Sequence, residues 1–309
     1  MIESIIPPRL RTGDLIGLVS PASPPRDEAL IMRGVSALLA EGFYTRIGWS
    51  VGASDGYFAG SDQVRADDIM EMFEDDRVRA IFCTRGGYGS ARLLDHLDYS
   101  FIREHPKILV GFSDITALSL AMYAKAGLIT FAGPMVAAEF ASGIRPMAAN
   151  ALWEMLRRRR TTRVLPECEG TEVLQGGAAE GTLLGGNLAV LCSLVGTPWI
   201  PDFDGAVLFL EDVGESVYRI DRMLLQLKQA GVLSSLSAVL LGSFTSIPID
   251  TPNRELVDVM KEYFLPLGVP VLSGIPFGHI PDKITLPIGS RVLVDAERHK
   301  ISVIQPVID

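Results

Sequence analysis

Leu109-Val110-Gly111-Phe112-Ser113-Asp114-Ile115-Thr116 runs a short apolar strand straight into a helix, with one serine at the corner. An apolar run followed at once by a helix-period segment is the building unit of a parallel sheet covered by helices, because a strand buried on both faces carries little polar alternation. The pattern repeats upstream. Leu15 to Ser20 reads as a strand, Asp27 to Glu41 as a helix, Ala80 to Cys83 as a strand, Ser90 to Leu97 as a helix and Ile108 to Phe112 as a strand. In the helix predicted from Asp114 to Lys125, Ile115, Leu118 and Met122 are spaced to face the sheet. The first half is therefore an α/β unit.

Between about Ala141 and Gly186 the periodicity fades into Gly, Thr, Glu and an arginine run, which marks a junction. Beyond it, Leu188 to Val195 reads as a helix, Ala206 to Leu210 as a strand, and Val217 to Ala230 as an amphipathic helix closed by Gly231. Strands are then expected to dominate. Ala238 to Leu241, Val269 to Gly274, Arg291 to Asp295 and Lys300 to Ile304 are short and β-rich, the last two forming a hairpin around Ala296 to His299. The division this predicts is a nucleophile-bearing unit over 1–145, a junction over 146–180 and a β-rich α+β unit over 181–309.

A chain of 309 residues, 48% of them apolar, exceeds the roughly 150 residues expected of one domain. Its formal charge of -9 opposes binding to nucleic acid or anionic membrane, whose partners concentrate Lys and Arg on one face. The run Arg157 to Arg160 closes a helix predicted over Ala148 to Leu156, where cations suit the negative dipole end. Cys83, Cys168 and Cys192 are widely spaced, which fits free thiols in a reducing cytoplasm better than a disulfide frame or a zinc site. Neither a signal peptide nor an apolar stretch of about 18 residues is found.

Ser113 occupies the corner that a nucleophile elbow requires, with the free N–H groups of the next helix aimed at any oxyanion formed there. The simpler alternative is an N-cap serine, and the Gly-x-Ser-x-Gly pattern is broken by Ile115. A second corner, Thr84-Arg85-Gly86-Gly87-Tyr88-Gly89-Ser90, follows the strand ending at Cys83. Loops at the carboxyl ends of parallel strands share one crevice, so the N–H of Gly86 or Gly87 could serve as an oxyanion donor. The Gly-x-Gly-x-x-Gly spacing of a dinucleotide loop fails at Arg92.

A serine needs a base, ordinarily a histidine held by a carboxylate. Of the four histidines, His96, His105 and His299 lie in helical, charged-loop and hairpin-tip contexts. His279 sits in a stiff Gly/Pro loop after an apolar strand and is the candidate base by elimination. For its partner, Val207 to Leu210 runs directly into Glu211-Asp212, and a carboxylate at the end of a buried strand needs a hydrogen-bonding or charged partner. Glu211 is preferred. Asp212 and Glu215 suit capping of the helix that begins near Ser216.

Together Gly13-Asp14, Ser20-Pro21-Ala22-Ser23, Arg85 to Gly89, Gly111 to Asp114, Gly185-Gly186-Asn187-Leu188, Leu210 to Val213 and Gly278-His279 resemble the LD-carboxypeptidase family, which includes the microcin C immunity peptidases. The resemblance covers nearly the whole chain. It implies a Rossmann-like N-terminal domain, a β-rich C-terminal domain and a catalytic set matching Ser113, Glu211 and His279. It also implies oxyanion donors at Asp114 and the Gly86-Gly87 turn, a homodimer, and no metal or organic cofactor. Arg85, Tyr88 and Asn187, within its motifs, are candidate substrate-binding residues. The implied reaction removes the terminal D-Ala of a cytoplasmic murein tetrapeptide at an L-D bond, and the alternative within the family is cleavage of an aspartyl-adenylate analogue. Trp199 is weighed as the adenine-stacking aromatic of that second branch and reads as a packing residue. From other classes, a glutaminase would need Cys at position 113, whereas a non-catalytic two-domain binding protein would share the crevice.

Overall fold

The computed structural model describes residues 3–166, 170–249 and 254–309, so Cys168 lies outside the described residues. Five parallel strands, β1 (Leu15–Val19), β2 (Tyr44–Ile47), β3 (Val78–Cys83), β4 (Ile108–Val110) and β5 (Thr130–Ala132), stand in the order β5-β4-β3-β1-β2. Between and after them come α1 (Glu28–Ala40), α2 (Asp62–Glu74), α3 (Tyr99–Glu104), α4 (Thr116–Ala126) and α5 (Pro146–Arg157). Asp27 caps α1 by accepting from Ala29 N, and Ser61 caps α2 by accepting from Val64 N. The α/β expectation for the first half holds.

Later strands are β6 (Arg163–Val164), β7 (Glu172–Gln175), β8 (Ala178–Asn187), β9 (Ala206–Val213), β10 (Ala238–Thr245), β11 (Val271–Ser273), β12 (Leu286–Ile288), β13 (Arg291–Asp295) and β14 (Lys300–Val303). All but β12 form a second sheet in the order β6-β14-β13-β8-β9-β10-β11-β7, whose central strands β8, β9, β10 and β11 run parallel. Three helices, α6 (Leu188–Leu194), α7 (Val217–Gln229) and α8 (Leu256–Phe264), belong to this half. The β13–β14 hairpin forms as expected, with His299 at positive φ in its turn.

Several expectations are corrected. Ser90–His96 is a 3-10 stretch rather than an α-helix, and the predicted helix from Asp114 opens with a separate tight turn, Ser113–Ile115, before α4. The helix expected over Ala148 to Leu156 is present as α5, but the rest of the stretch with faded periodicity contains β6, β7 and most of β8, because Ala178–Asn187 carries Ala and Gly where a strand ordinarily shows β-branched residues. Past Gly231 the chain does not turn wholly to strands, since α8 presents Val259, Met260, Tyr263 and Phe264 to the interior. Finally, β12 pairs antiparallel with β5, Leu286 opposite Ala132 and Ile288 opposite Thr130, so a segment from the second half completes the first sheet.

One apolar cluster spans both sheets, with Phe82, Leu118, Leu184, Phe209 and Leu286 among its members. Helix α4 is buried along most of its length, and its apolar residues pack on both sides. At the edge of the first sheet, fully buried Arg65 ties three loops together. Its guanidinium donates to Pro21 O at 2.5 Å, Gly89 O at 3.1 Å and Gly60 O at 3.2 Å, pairs with Asp62, and lies 4.7 Å from the Phe58 ring centroid. Arg65→Met removes every guanidinium donor while keeping the bulk; the Gly89 carbonyl keeps its bond from Arg92 N, but Pro21 O and Gly60 O lose the donor seen here. Chemical denaturation should show a loss of about 3 kcal/mol, the order expected when a buried charged partner is removed.

Candidate active site

Strand β4 ends at Val110, and three residues later the backbone reverses at Ser113, whose φ is +64°. A non-glycine residue in the left-handed region costs on the order of 1 kcal/mol and persists where the surroundings hold it. Phe112 precedes the turn as its cap residue, and the Ser113 hydroxyl makes no capping bond. It stands instead 3.0 Å from His279 Nε2. The N-cap alternative for Ser113 is not the geometry observed.

Beyond the imidazole, His279 Nδ1 lies 2.7 Å from Glu211 Oε2. A carboxylate can only accept here, so Nδ1 carries the proton and Nε2 offers its lone pair to the Ser113 hydroxyl. Gly278, at φ +109°, permits the approach: a Cβ on it would fall 2.8 Å from Glu211 Oε2 and 2.9 Å from Glu211 Cβ. The Glu211 side chain is 4% exposed and that of His279 23%, so the acid is sealed while the base reaches solvent. Glu211 Oε1 accepts from Asn187 Nδ2 at 3.2 Å, and the same nitrogen donates to Asp212 Oδ1 at 3.0 Å. Asp212 also accepts from Ala189 N and Val213 N. Asp212 thus serves the first turn of α6, not the helix after Ser216, and burial pushes its carboxyl above the usual range against those three hydrogen bonds.

The Gly-rich loop lies against this corner. A Cβ on Gly86 would stand 3.0 Å from Ser113 Cβ, 3.1 Å from Ser113 Oγ and 3.4 Å from Asp114 N. The Gly86 carbonyl accepts from Ser23 N at 3.3 Å, which in a trans peptide turns the Gly87 N–H away from Ser23. Asp114 locks loop and corner together: its Oδ2 accepts from Ser90 N at 2.8 Å and its carbonyl from Ser90 Oγ at 2.6 Å. Gly86, Asp114, Asn187, Glu211 and His279 are therefore all gathered around Ser113. Arg85 and Tyr88 are turned elsewhere. The Arg85 guanidinium donates to Pro24 O at 2.8 Å, and Tyr88 joins Tyr57 and Phe58 in an exposed aromatic group. Trp199 packs against Tyr99 with Lys125 over its ring.

Two residues at the site had no signal in the sequence. Lys283 Nζ is 2.6 Å from Glu139 Oε1 and 3.7 Å from the Phe112 ring centroid, with burial pushing its ammonium below the usual range against the pull of Glu139. They come from elements 144 positions apart, and a lone Lys after Pro281-Asp282 looks like surface. Outside them opens a cleft of about 530 Å³ lined by Phe112, Ala138, Glu139, Arg145, His279 and Pro281. Its size lies within the range of small-molecule sites, roughly 300–1,000 Å³.

Comparison with known proteins places two family descriptions on the chain: LD-carboxypeptidase N-terminal domain over residues 16–133 and LD-carboxypeptidase C-terminal domain over residues 180–294. A probable murein peptide carboxypeptidase of Bacillus subtilis (strain 168) is 37% identical over 292 residues, 94% of this chain and 91% of the relative. The microcin C7 self-immunity protein MccF, solved in complex with aspartyl sulfamoyl adenosine, superposes with a TM-score of 0.92 at 29% identity, covering 99% of this chain and 100% of that one. A muramoyltetrapeptide carboxypeptidase from Oxalobacter formigenes superposes with a TM-score of 0.83 at 32% identity, covering 93% of this chain and 97% of that one.

The Gly278 contact can be tested without any substrate. Gly278→Ala forces a Cβ against Glu211 in a backbone region hostile to side chains, so His279 must leave its carboxylate or its serine. Labelling of Ser113 by a serine-reactive fluorophosphonate should slow by about a hundredfold or more, the scale set by loss of a well-placed base. Labelling at the parental rate would mean that the loop is free to adjust.

Proposed function

The chain belongs to the LD-carboxypeptidase family, and from that premise we propose that it is a serine peptidase that removes the terminal D-Ala of cytoplasmic murein tetrapeptides at an L-D amide bond. The observation that carries this reading is the unbroken line from Ser113 Oγ through His279 Nε2 and Nδ1 to Glu211 Oε2, at 3.0 and 2.7 Å. In the proposed reaction His279 Nε2 takes the hydroxyl proton as Ser113 Oγ attacks the scissile carbonyl carbon. The displaced electron pair rests on the carbonyl oxygen, where the N–H groups of Asp114 and of the Gly86-Gly87 turn receive it. Collapse breaks the C–N bond, and His279 returns the proton to the departing amine of D-Ala. Water, deprotonated by the same nitrogen, then cleaves the acyl ester and restores the serine. Glu211 holds the imidazole in the required tautomer and offsets its transient charge.

The fixed geometry supports an enzyme over a mere binding protein, since strain at Ser113 and a buried acid on the base have no use in simple binding. Substrate contacts are proposed for the backbone of the Gly86-Gly87 turn and not for the Arg85 and Tyr88 side chains, which are directed to Pro24 O and to Tyr57 and Phe58. The proposed setting is the cytoplasm, consistent with free buried thiols at Cys83 and Cys192, and the proposed assembly a homodimer. Cleavage of an aspartyl-adenylate analogue is the second reading, supported by the likeness to MccF in complex with aspartyl sulfamoyl adenosine. It ranks second because Trp199, the aromatic weighed for stacking on the adenine, packs against Tyr99 with Lys125 over its ring.

Incubation with murein tetrapeptide, its L-Ala epimer, its C-terminal amide and aspartyl sulfamoyl adenosine, followed by mass spectrometry, separates the readings. The D-Ala peptide should be preferred over the L-epimer by at least about a hundredfold in kcat/KM, equivalent to about 3 kcal/mol of transition-state fit. The amide should resist cleavage, because a carboxypeptidase must close on a free carboxylate. Equal cleavage of the epimers, or turnover of the adenosine compound alone, overturns the murein assignment.

A companion measurement concerns the groups themselves. Ser113→Ala, His279→Ala and the double variant should lose nearly the same activity, because members of such a line act as one unit, while Glu211→Gln should lose less. Chelating agents should leave the rate unchanged. Retention of more than about a tenth of the rate by His279→Ala would require another base, as removing one typically costs several powers of ten.

A further inference from the structure

Phe112 stands between two charged systems. Its ring meets that of His279 edge-on, with centroids 5.0 Å apart and planes at 61°, while Lys283 Nζ lies 3.7 Å from its centroid. The Lys283 side chain is only 3% exposed and ends on Glu139 Oε1 at 2.6 Å. The other Glu139 oxygen accepts from Met135 N at 2.9 Å, at the start of the π-helical turn Val136–Phe140. Such single turns recur at functional sites. A buried ion pair is a poor device for stability alone, because removing two charges from water offsets most of their attraction and well-packed apolar side chains serve as well. Here the pair sits four residues beyond His279 and presses on the residue before Ser113.

We infer that Lys283 is a positioning residue for His279: held by Glu139, its ammonium clamps the Phe112 ring against the imidazole and places a positive charge beside the Glu211–His279 pair. The inference rests on the roles assigned above to Ser113 and His279, but not on the murein substrate. Other charges around His279 are differently disposed. Glu211 is bonded to Nδ1, Asp212 turns its carboxylate to Asn187, Ala189 and Val213, Asp114 turns its own to Ser90, Arg145 lines the outer cleft, and Asp282 is exposed. Lys283 is thus the buried cation of this group, and it is attracted by Glu211 as well as by Glu139. The clamp acts through the ring, holding the imidazole where its Nε2 faces Ser113 Oγ at 3.0 Å.

The rate of Ser113 labelling by a fluorophosphonate reads this directly and needs no peptide. Lys283→Met should label at least about tenfold more slowly, the scale of a misplaced base. Lys283→Arg, which keeps the charge and can lie over the ring, should recover most of the rate. Lys283→Met/Glu139→Gln leaves no stranded carboxylate, so it should regain the melting temperature of the parent but not its rate. A Lys283→Arg variant as slow as Lys283→Met, or a double variant that recovers rate along with stability, overturns the inference and makes the pair purely structural. A wild type that is not labelled overturns both this and the serine mechanism. A wild type labelled normally but inactive on tetrapeptide refutes the substrate alone and leaves the Lys283 result standing.

Discussion

Asn187 N donates to Thr116 Oγ1 at 3.0 Å, and Gly186 lies against the same threonine, where a Cβ would come within 2.7 Å of Thr116 Cγ2. Thr116 opens α4 directly after the Ser113 turn, and Asn187 ends β8 opposite Glu211 on β9. This close approach therefore fixes how far the serine stands from the acid. The gap it leaves is filled by one imidazole with a hydrogen bond at each nitrogen, 3.0 Å on one side and 2.7 Å on the other. A bulkier residue at position 186 would widen the gap, and neither bond could then be kept without distortion. Contact between the β8 backbone and the Thr116 side chain, more than any charge, sets the geometry of the site.

Placing two adjacent carboxylates at that junction is expensive unless each finds donors. Glu211 has His279 and the Asn187 amide, while Asp212 has the same amide and two backbone N–H groups. Asn187 is shared by both and also caps α6 by accepting from Val190 N at 3.1 Å. Strand end, helix start and acid are thus joined in one network, whose members a single amide orients. Across the site, Lys283 and Glu139 answer the same requirement by pairing with each other.

The sequence exposed those parts of the site that obey local rules. A strand running into a helix through Phe112-Ser113-Asp114 shows the corner, and an apolar run ending in Glu211 shows the acid, because both are consequences of burial along one stretch of chain. His279 stands out by elimination among four histidines, which works only because histidine is scarce here. Pairings between distant residues left no trace: nothing in Glu139 or Lys283 alone announces the other. Strand β2, with Arg46 and an exposed Tyr44 in four residues, lacked an apolar run, and Gly-rich β8 looked like a linker although seven of its ten residues are buried. Arg85 and Tyr88 show the limit of motif reading, since a loop's composition does not say which way its side chains face. The paired β12 is a fourth kind of omission, a tertiary choice that no local preference encodes.

That strand also governs how the chain can change in length. The loop carrying His279 leaves the second sheet at β11 and enters the first at β12, so its ends are anchored on different sheets. Surface loops ordinarily absorb insertions and deletions with little effect, because both ends sit on one rigid support. Here a residue lost between Gly274 and Thr285 cannot be made up without shifting the imidazole or unpairing Leu286 from Ala132. The span behaves as a bridge of minimum length, and shortening of this protein should be accommodated at the outer edges of the sheets rather than across it.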